Sequence, residues 1–539
     1  MKTSKNRAVL TSRRQWLGAS SGTLAAVLLA EAAATPVGAA PAVAESSPDV
    51  YKRIGADPFI NCTATYTING GSQLLPEVIE AVEQASHYHV NLDQLMEAAG
   101  RHIARLLQVP WAMVSSGAAA ALTHACAACV AGTDPERMQQ LPDLTGLKNE
   151  AIIPASSRNQ YDHAVRMVGL KVIEVDSKEE LKAAINHRTA VVMVLGNRFD
   201  QVRLGLDEVA PIAKAAGVPV LVDAAADYLI VPNPYLAAGA DLVCYSGGKI
   251  LRGPQTAGLL LGREDLVRAA YANSAPHHGF GRPMKVSKEE IAGMAVAVDV
   301  WVNKRNIEAE YEEWKRWYAH ITSVITKVDG VTTEVRGPTR GGPFPTMNIS
   351  WDPEKIGLTA GELHDILLRG DPAIQTHASG EGHSFLFRPV AMKPEDYKIV
   401  ADRLLDVFRK APKKRPVTIA KKPMADISGR WNVRMKFAVG EVDHLLFFEA
   451  DGNRLTGTHA GSVTRGPLEG EIDGDRVRFR SVLPIEGSRL SYRFSGRLSG
   501  DRMEGDLDLG EYPSARWSAV RHAYDGPPPS DAPKTDKTG

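Results

Sequence analysis

Cysteine is scarce in this 539-residue chain, and the four present, Cys62, Cys126, Cys129 and Cys244, do not form the disulfide framework of a small secreted domain. Cys126-Ala127-Ala128-Cys129 has the spacing of a redox or metal pair, with His124 close by. It lies in an apolar run of small residues and lacks a second ligand pair, so it reads as helix packing and no metal is expected. Net charge is missing too: 63 Lys plus Arg balance 63 Asp plus Glu. That balance gives no general reason to expect nucleic acid or an acidic membrane as partner. The apolar run from Ala19 to Ala30 is too short and too interrupted for a confident membrane span.

What is present is the composition of a folded chain, 44% hydrophobic and 23% charged, long enough for two or three packed cores. Ser12-Arg13-Arg14-Gln15-Trp16-Leu17, followed by small apolar residues and possible cleavage after Ala40 or Ala44, reads as a twin-arginine export signal. It implies the twin-arginine export machinery as a partner and a periplasmic or exported destination. From residue 151, short apolar strands alternate with amphipathic helices: Ala151–Ile153, Lys171–Val175, Ala190–Leu195, Val218–Val222, Leu242–Tyr245 and Thr256–Gly262. This alternation predicts an α/β fold with a mostly parallel sheet covered on both faces.

Three segments of that sheet carry chemistry. Lys249 follows the strand Asp241–Tyr245 on the Gly-rich turn Ser246-Gly247-Gly248, at a strand's carboxyl end. An enclosed lysine amine there can be neutral and condense with a carbonyl. Asp223 ends the strand Val218–Val222, where a carboxylate can keep a pyridinium nitrogen protonated. Ser115-Ser116-Gly117 joins the strand Trp111–Val114 to the helical run Ala118–Val130, whose first turn offers N–H groups and a positive dipole end to phosphate.

With these residues in order, the chain resembles the fold-type-I pyridoxal phosphate enzymes, and within them the group of bacterial selenocysteine synthase and glucosaminate-6-phosphate ammonia-lyase. The resemblance runs from about Tyr51 to Lys410. It rests on Ile60-Asn61-Cys62-Thr63-Ala64 with Gly70-Gly71-Ser72, on Ser115 to Ala120, on Arg158 to Ala164, on Asp223, on Ser246 to Gln255 and on Gly281 to Val286. It implies pyridoxal 5'-phosphate as cofactor, held as a Lys249 aldimine. Asp223 would pair with the ring nitrogen, and Ser115, Ser116, Gly117, Ala118 and Ser246 would lie at the phosphate. Tyr161 and His163 fall near the motif that faces the ring, where either could stack or simply pack. Arg388, in the small domain, is read either as a substrate carboxylate grip or as a surface ion pair. Asn61 and Arg158 are further substrate candidates. Asn197, His277, His278, Arg282 and Lys285 are others, some reaching a neighbouring subunit, since the resemblance implies a homodimer or larger homo-oligomer.

The domains expected are a signal at 1–44, a cofactor-binding large domain at 45–285, and a linking helix with a small domain at 286–410. A basic linker at 411–424 leads to an antiparallel β domain at 425–523, barrel or sandwich, and a disordered tail at 524–539. The reaction expected is elimination or ammonia loss from a hydroxyl-bearing amino acid or amino sugar acid. Aminotransferase or racemase chemistry, or a non-catalytic exported binding protein on the same fold, are the alternatives. Export and the lack of an RNA-binding domain before Tyr51 disfavour selenocysteine synthesis. Retention of both Lys249 and Asp223 argues against a non-catalytic relative.

Overall fold

The computed structural model describes residues 50–196, 203–338, 343–378, 380, 382–413 and 420–523. The expected signal at 1–44, the candidate Asn197 and the expected tail from 524 lie outside the described residues. The chain divides into two units, residues 1–58 and 59–539. Of the first, the described part holds one short exposed helix, Val50–Ile54. Everything below belongs to the second.

A seven-stranded sheet forms the centre. Its strands, after the short β1 (Phe59–Asn61), are β2 (Trp111–Ser115), β3 (Glu150–Pro154), β4 (Lys171–Val175), β5 (Thr189–Leu195), β6 (Val220–Asp223), β7 (Leu242–Ser246) and β8 (Gly258–Gly262). They lie in the order β2-β8-β7-β6-β5-β3-β4. β8 alone runs antiparallel to its neighbours. Nearly every residue of β3, β5, β6, β7 and β8 is buried, as expected of a sheet with both faces covered. The fold-type-I architecture expected from the sequence is therefore the architecture found.

The helix Ala118–Ala131 packs against this sheet with twelve of its fourteen residues buried. Being apolar on all sides, it can be enclosed all round, and its alanines let it lie close to the strands. Cys126 is fully buried there and desolvation pushes its thiol well above the usual range. The long helical region expected after Ser287 is two helices, Lys288–Asn303 and Ile307–Ile325, broken at Lys304–Asn306. A capping box of Ser287 and Glu290 starts the first, and Asn306 caps the second.

The small domain has β9 (Val331–Arg336), β10 (Thr346–Trp351) and β12 (Ser384–Phe387) in a three-stranded antiparallel sheet, backed by the helix Asp396–Lys410. β11 (Ala373–Gln375) pairs with β1. The last part is an eight-stranded closed barrel of β13 (Gly429–Lys436), β14 (Glu441–Asp451), β15 (Arg454–Ala460), β16 (Arg465–Asp473), β17 (Arg476–Ile485), β18 (Ser488–Ser499), β19 (Arg502–Leu509) and β20 (Tyr512–Arg521). Strict alternation puts Trp431, Phe448, Phe479, Phe494 and Trp517 inside, in a core separate from that of the large and small domains. Closure of β13 on β20 removes both sheet edges. Gly452 and Gly474, at φ +56° and +63°, make two of the tight turns.

Candidate functional site

Strand register brings the polar residues together. Ser115, Gly258 and Ser246 are direct partners across β2, β8 and β7. One strand further on, Asp223 pairs with Cys244 on one side and with Leu195 on the other. The phosphate-end serines and Asp223 thus lie at the same end of adjoining strands. The close approach depends on glycine at 258, where a Cβ would stand 2.4 Å from the Gly117 carbonyl carbon and 2.6 Å from the Ala118 nitrogen. Gly117 itself sits at φ +88° and opens the helix with no side-chain cap. Its first-turn N–H groups are left for an anion. Ser115 Oγ donates to the Gly117 carbonyl at 2.9 Å, and Ser116 Oγ to the Met284 carbonyl at 2.9 Å. The second bond draws the segment of Arg282 and Lys285 to this end of the sheet.

Lys249 stands half-buried on the turn after β7. That turn is tightly held. Ser72 N–H donates to the Gly248 carbonyl at 3.1 Å, and a Cβ on Gly248 would come within 2.5 Å of Gln255 Cα. Asp223 is 3% exposed and accepts from Ala225 N–H at 3.1 Å and, weakly, from the Cys244 thiol at 3.7 Å. Burial pushes its carboxyl above the usual aspartate range, against the opposing pull of the Ala225 N–H and the Lys249 charge.

A cavity of about 260 Å³ joins Lys249 to Arg388, with Ala64, Tyr66, Ala226 and Phe344 among its walls. Arg388 follows β12 and makes no ion pair with any described residue. Its backbone N–H donates to the Cys62 carbonyl at 3.0 Å and its guanidinium to the Thr63 carbonyl at 3.4 Å. Asn61 builds the turn that offers those carbonyls. Its Oδ1 accepts from Thr63 N–H and Oγ1 at 2.9 and 2.7 Å, while its Nδ2 donates to the Ala64 carbonyl at 2.9 Å. Ala64 is held there at φ +93°, a conformation a non-glycine residue adopts only when its surroundings impose it. Asn61 is thus committed to bracing the turn under Arg388 rather than facing the cavity.

Arg158 is likewise not a free substrate contact. Only 13% of its side chain is exposed, and its guanidinium contacts Asp162 at 2.5 Å, Glu174 at 2.8 Å and Glu486 of the barrel at 2.9 Å. A planar fork with three carboxylates on it has no edge left for a fourth. Tyr161 is 41% exposed; burial of the rest and the nearby Asp223 raise its phenol above the ordinary range. His163 is exposed, with Nδ1 at 3.2 Å from Arg166. His277 pairs with Asp93 at 3.0 Å in a separate cavity. His278 offers its carbonyl to Gln139. Sequence reading passed over Tyr66 and His377, whose rings meet edge to face at 4.5 Å beside Arg388. They lie 311 positions apart (377 − 66), and nothing local marks either.

These features suit pyridoxal phosphate: a helix N-terminus beside two serines for its phosphate, a buried carboxylate for its ring nitrogen, and an amine opening on a cavity it shares with Arg388. Fold and site together define a pyridoxal-phosphate-dependent enzyme of fold type I. A model of the aminotransferase class-V family matches residues 70–294. A Streptomyces protein named 5'-C-glycyluridine monooxygenase-decarboxylase is 33% identical over 337 residues, 60% of this chain and 83% of that protein. The D-glucosaminate-6-phosphate ammonia lyase of Salmonella typhimurium is 27% identical over 339 residues, 61% of this chain and 89% of the enzyme. A solved structure of D-glucosaminate-6-phosphate ammonia-lyase superposes with a TM-score of 0.60 at 26% identity, covering 68% of this chain and 99% of that one. The chain belongs to the aminotransferase class-V family, its cofactor is pyridoxal phosphate, and it is a lyase or transferase.

Proposed function

We propose that this protein is a lyase that eliminates a β-hydroxyl or comparable group from a small amino acid or amino sugar acid, releasing ammonia. The observation that carries the reading is the one cavity lined by both Lys249 and Arg388, with Asp223 buried and within reach of the lysine's charge. Similarity to an enzyme named D-glucosaminate-6-phosphate ammonia lyase supports the substrate class. Lys249 holds the cofactor, Asp223 keeps its ring nitrogen protonated, and Ser115, Ser116, Gly117, Ala118 and Ser246 hold its phosphate. When bound, the cofactor supplies an electron sink for the pair left at the substrate α-carbon.

Arg388 orients the substrate by its carboxylate through a fork of two N–H donors. Lys249 then takes the α-proton and gives a proton to the leaving hydroxyl, which departs as water. Hydrolysis of the remainder gives a keto acid and ammonia. Loss of CO2 would move the carboxylate's charge away from the guanidinium, so an arginine ion pair at that group disfavours decarboxylation. A second reading, loss of that carboxylate, is favoured by the 33% identity to a protein named a monooxygenase-decarboxylase. Incubating the purified protein in heavy water with amino acids and amino sugar acids decides among these. Ammonia with a keto acid supports elimination, and CO2 supports the second reading. Amine transfer marks an aminotransferase, α-deuteration with inversion marks a racemase, and no exchange with any substrate marks a binding protein. In the same preparation the reading expects the solution mass of two chains.

For Arg388→Gln we expect KM for a carboxylate substrate to rise by about 10- to 100-fold, the range of one charged hydrogen-bonded contact, with cofactor binding unchanged. An unchanged KM would return Arg388 to a structural role. The export reading belongs here as well. The Arg13-Arg14 pair followed by an apolar run motivates it. Replacing both arginines by lysine should hold the full-length chain in the cytoplasm, while export of the double variant at the parental level would remove the twin-arginine assignment.

A further inference from the structure

The barrel is not merely joined to the cofactor-binding part by a linker; one of its hairpins reaches back to the site. The β17–β18 ladder runs from Arg476↔Arg497 to Ile485↔Ser488. Pairing of β17 with β16 ends at Ser481, and pairing of β18 with β19 begins at Arg493. Leu483 and Tyr492 still pack in the barrel core, so only the tip, Pro484–Arg489, is a two-stranded ribbon projecting beyond the barrel wall. Such a ribbon is marginal by itself in water and needs a surface to lie on.

Its surface is the segment that carries Tyr161 and His163. At the tip, Glu486 turns the chain at φ +52° and sets its carboxylate 2.9 Å from Arg158 Nη2. Gly487 follows so closely that a Cβ there would stand 1.9 Å from the Asn159 carbonyl oxygen and 2.5 Å from Asp162 Oδ2. Asn159 in turn accepts from Tyr161 N–H at 2.7 Å, and Arg158 grips Asp162, which is 1% exposed. Ser157 ties the same turn to the sheet, accepting from Leu195 N–H at 3.0 Å. Leu195 is the β5 partner of Asp223. A continuous set of contacts thus runs from the barrel tip to the strand pair holding the candidate cofactor carboxylate.

We propose that the β17–β18 hairpin tip buttresses the active site, with Glu486, Gly487 and Arg158 acting as positioning residues that fix the Asn159–His163 segment against the bound cofactor. This rests on the pyridoxal phosphate reading of the site and deepens it. Arg158 couples two parts of the chain 328 positions apart, and its first-turn partner Asp162 gives it a fixed orientation for the task. A second barrel turn lies near as well: the charge of Glu511, between β19 and β20, is felt by Tyr161.

The test uses the full chain titrated with pyridoxal 5'-phosphate, following the visible absorption of the bound cofactor and thermal unfolding. Gly487→Val must push the tip off Asn159. We expect the cofactor Kd to rise about tenfold or more and the band to shift, with little change in unfolding temperature. Glu486→Gln, which removes charge without bulk and keeps the hairpin folded, should raise Kd about threefold, as suits one half-exposed ion pair. Gly452→Ala, at another hairpin turn with nothing within 4 Å but at φ +56°, should lower the unfolding temperature a little and leave the cofactor Kd and band at the parental value. Parental Kd and band in both tip variants would overturn the proposal and leave the cofactor reading intact. A parent with no band at any cofactor concentration would overturn the cofactor reading and this proposal with it.

Discussion

The Lys249→Ala chain, purified beside its parent with pyridoxal phosphate present, is expected to lose or shift the parental absorption band and to lose turnover by about 10³-fold or more. Two functions vanish with one amine: the attachment of the cofactor and the base at the substrate α-carbon. The loss should not come from unfolding. Lys249 is half-buried on a turn whose shape is fixed by its neighbours, through Ser72 N–H on the Gly248 carbonyl and Gly248 against Gln255. Unfolding temperature of the cofactor-free variant should therefore match the parent. A variant that kept the parental band and rate would remove Lys249 from the chemistry altogether.

Asp223→Asn should lower turnover by about 10²- to 10³-fold, the usual scale for removing one charge aimed at the reacting system. Its effect on stability has the opposite sign. Burial raises the folded-state pKa of Asp223, so the folded protein holds this proton more tightly than the unfolded chain does. The stabilising contribution is present below the ordinary aspartate range and is lost as pH rises through the elevated value. At pH 7 a buried carboxylate is a cost to the cofactor-free protein, and the neutral isostere removes it. The cofactor-free variant is accordingly expected to unfold at a higher temperature than the cofactor-free parent at pH 7, with the gap closing as pH falls. With cofactor bound the order should reverse. A variant less stable than the parent at every pH in the absence of cofactor would show that the carboxylate is already compensated by Lys249.

Much of this arrangement was legible in the chain itself. Lys249 and Asp223 stand at the ends of apolar runs, and Ser115–Gly117 joins a strand to an Ala-rich helix; such signals are local, and local signals survive in a linear reading. The destination of Arg158 was not legible. Its partner Glu486 lies 328 positions away in a domain whose alternating pattern says nothing about what its loops touch. The turn that Asn61 builds was not legible for a related reason: asparagine near a site suggests a ligand contact, and nothing local marks the three hydrogen bonds it closes on its own turn. The β domain could be read only as barrel or sandwich. Inward and outward residues alternate identically in both, and only the pairing of β13 with β20 separates them.

That last pairing also bears on how the chain reaches this shape. Trp431 meets Arg521, about ninety positions along the chain, and contacts of such long sequence separation form slowly because the intervening loop must close first. The Glu486–Gly487 tip is presented by the cylinder this pairing seals. The rest of the chain closes longer loops still, with Trp111 meeting Gly262 across β2 and β8, and Phe59 meeting Ala373 across β1 and β11. Cofactor affinity in refolding then waits on closures made far from the chemistry, and a barrel whose other neighbours are all consecutive hairpins can present its tip before the central sheet is complete.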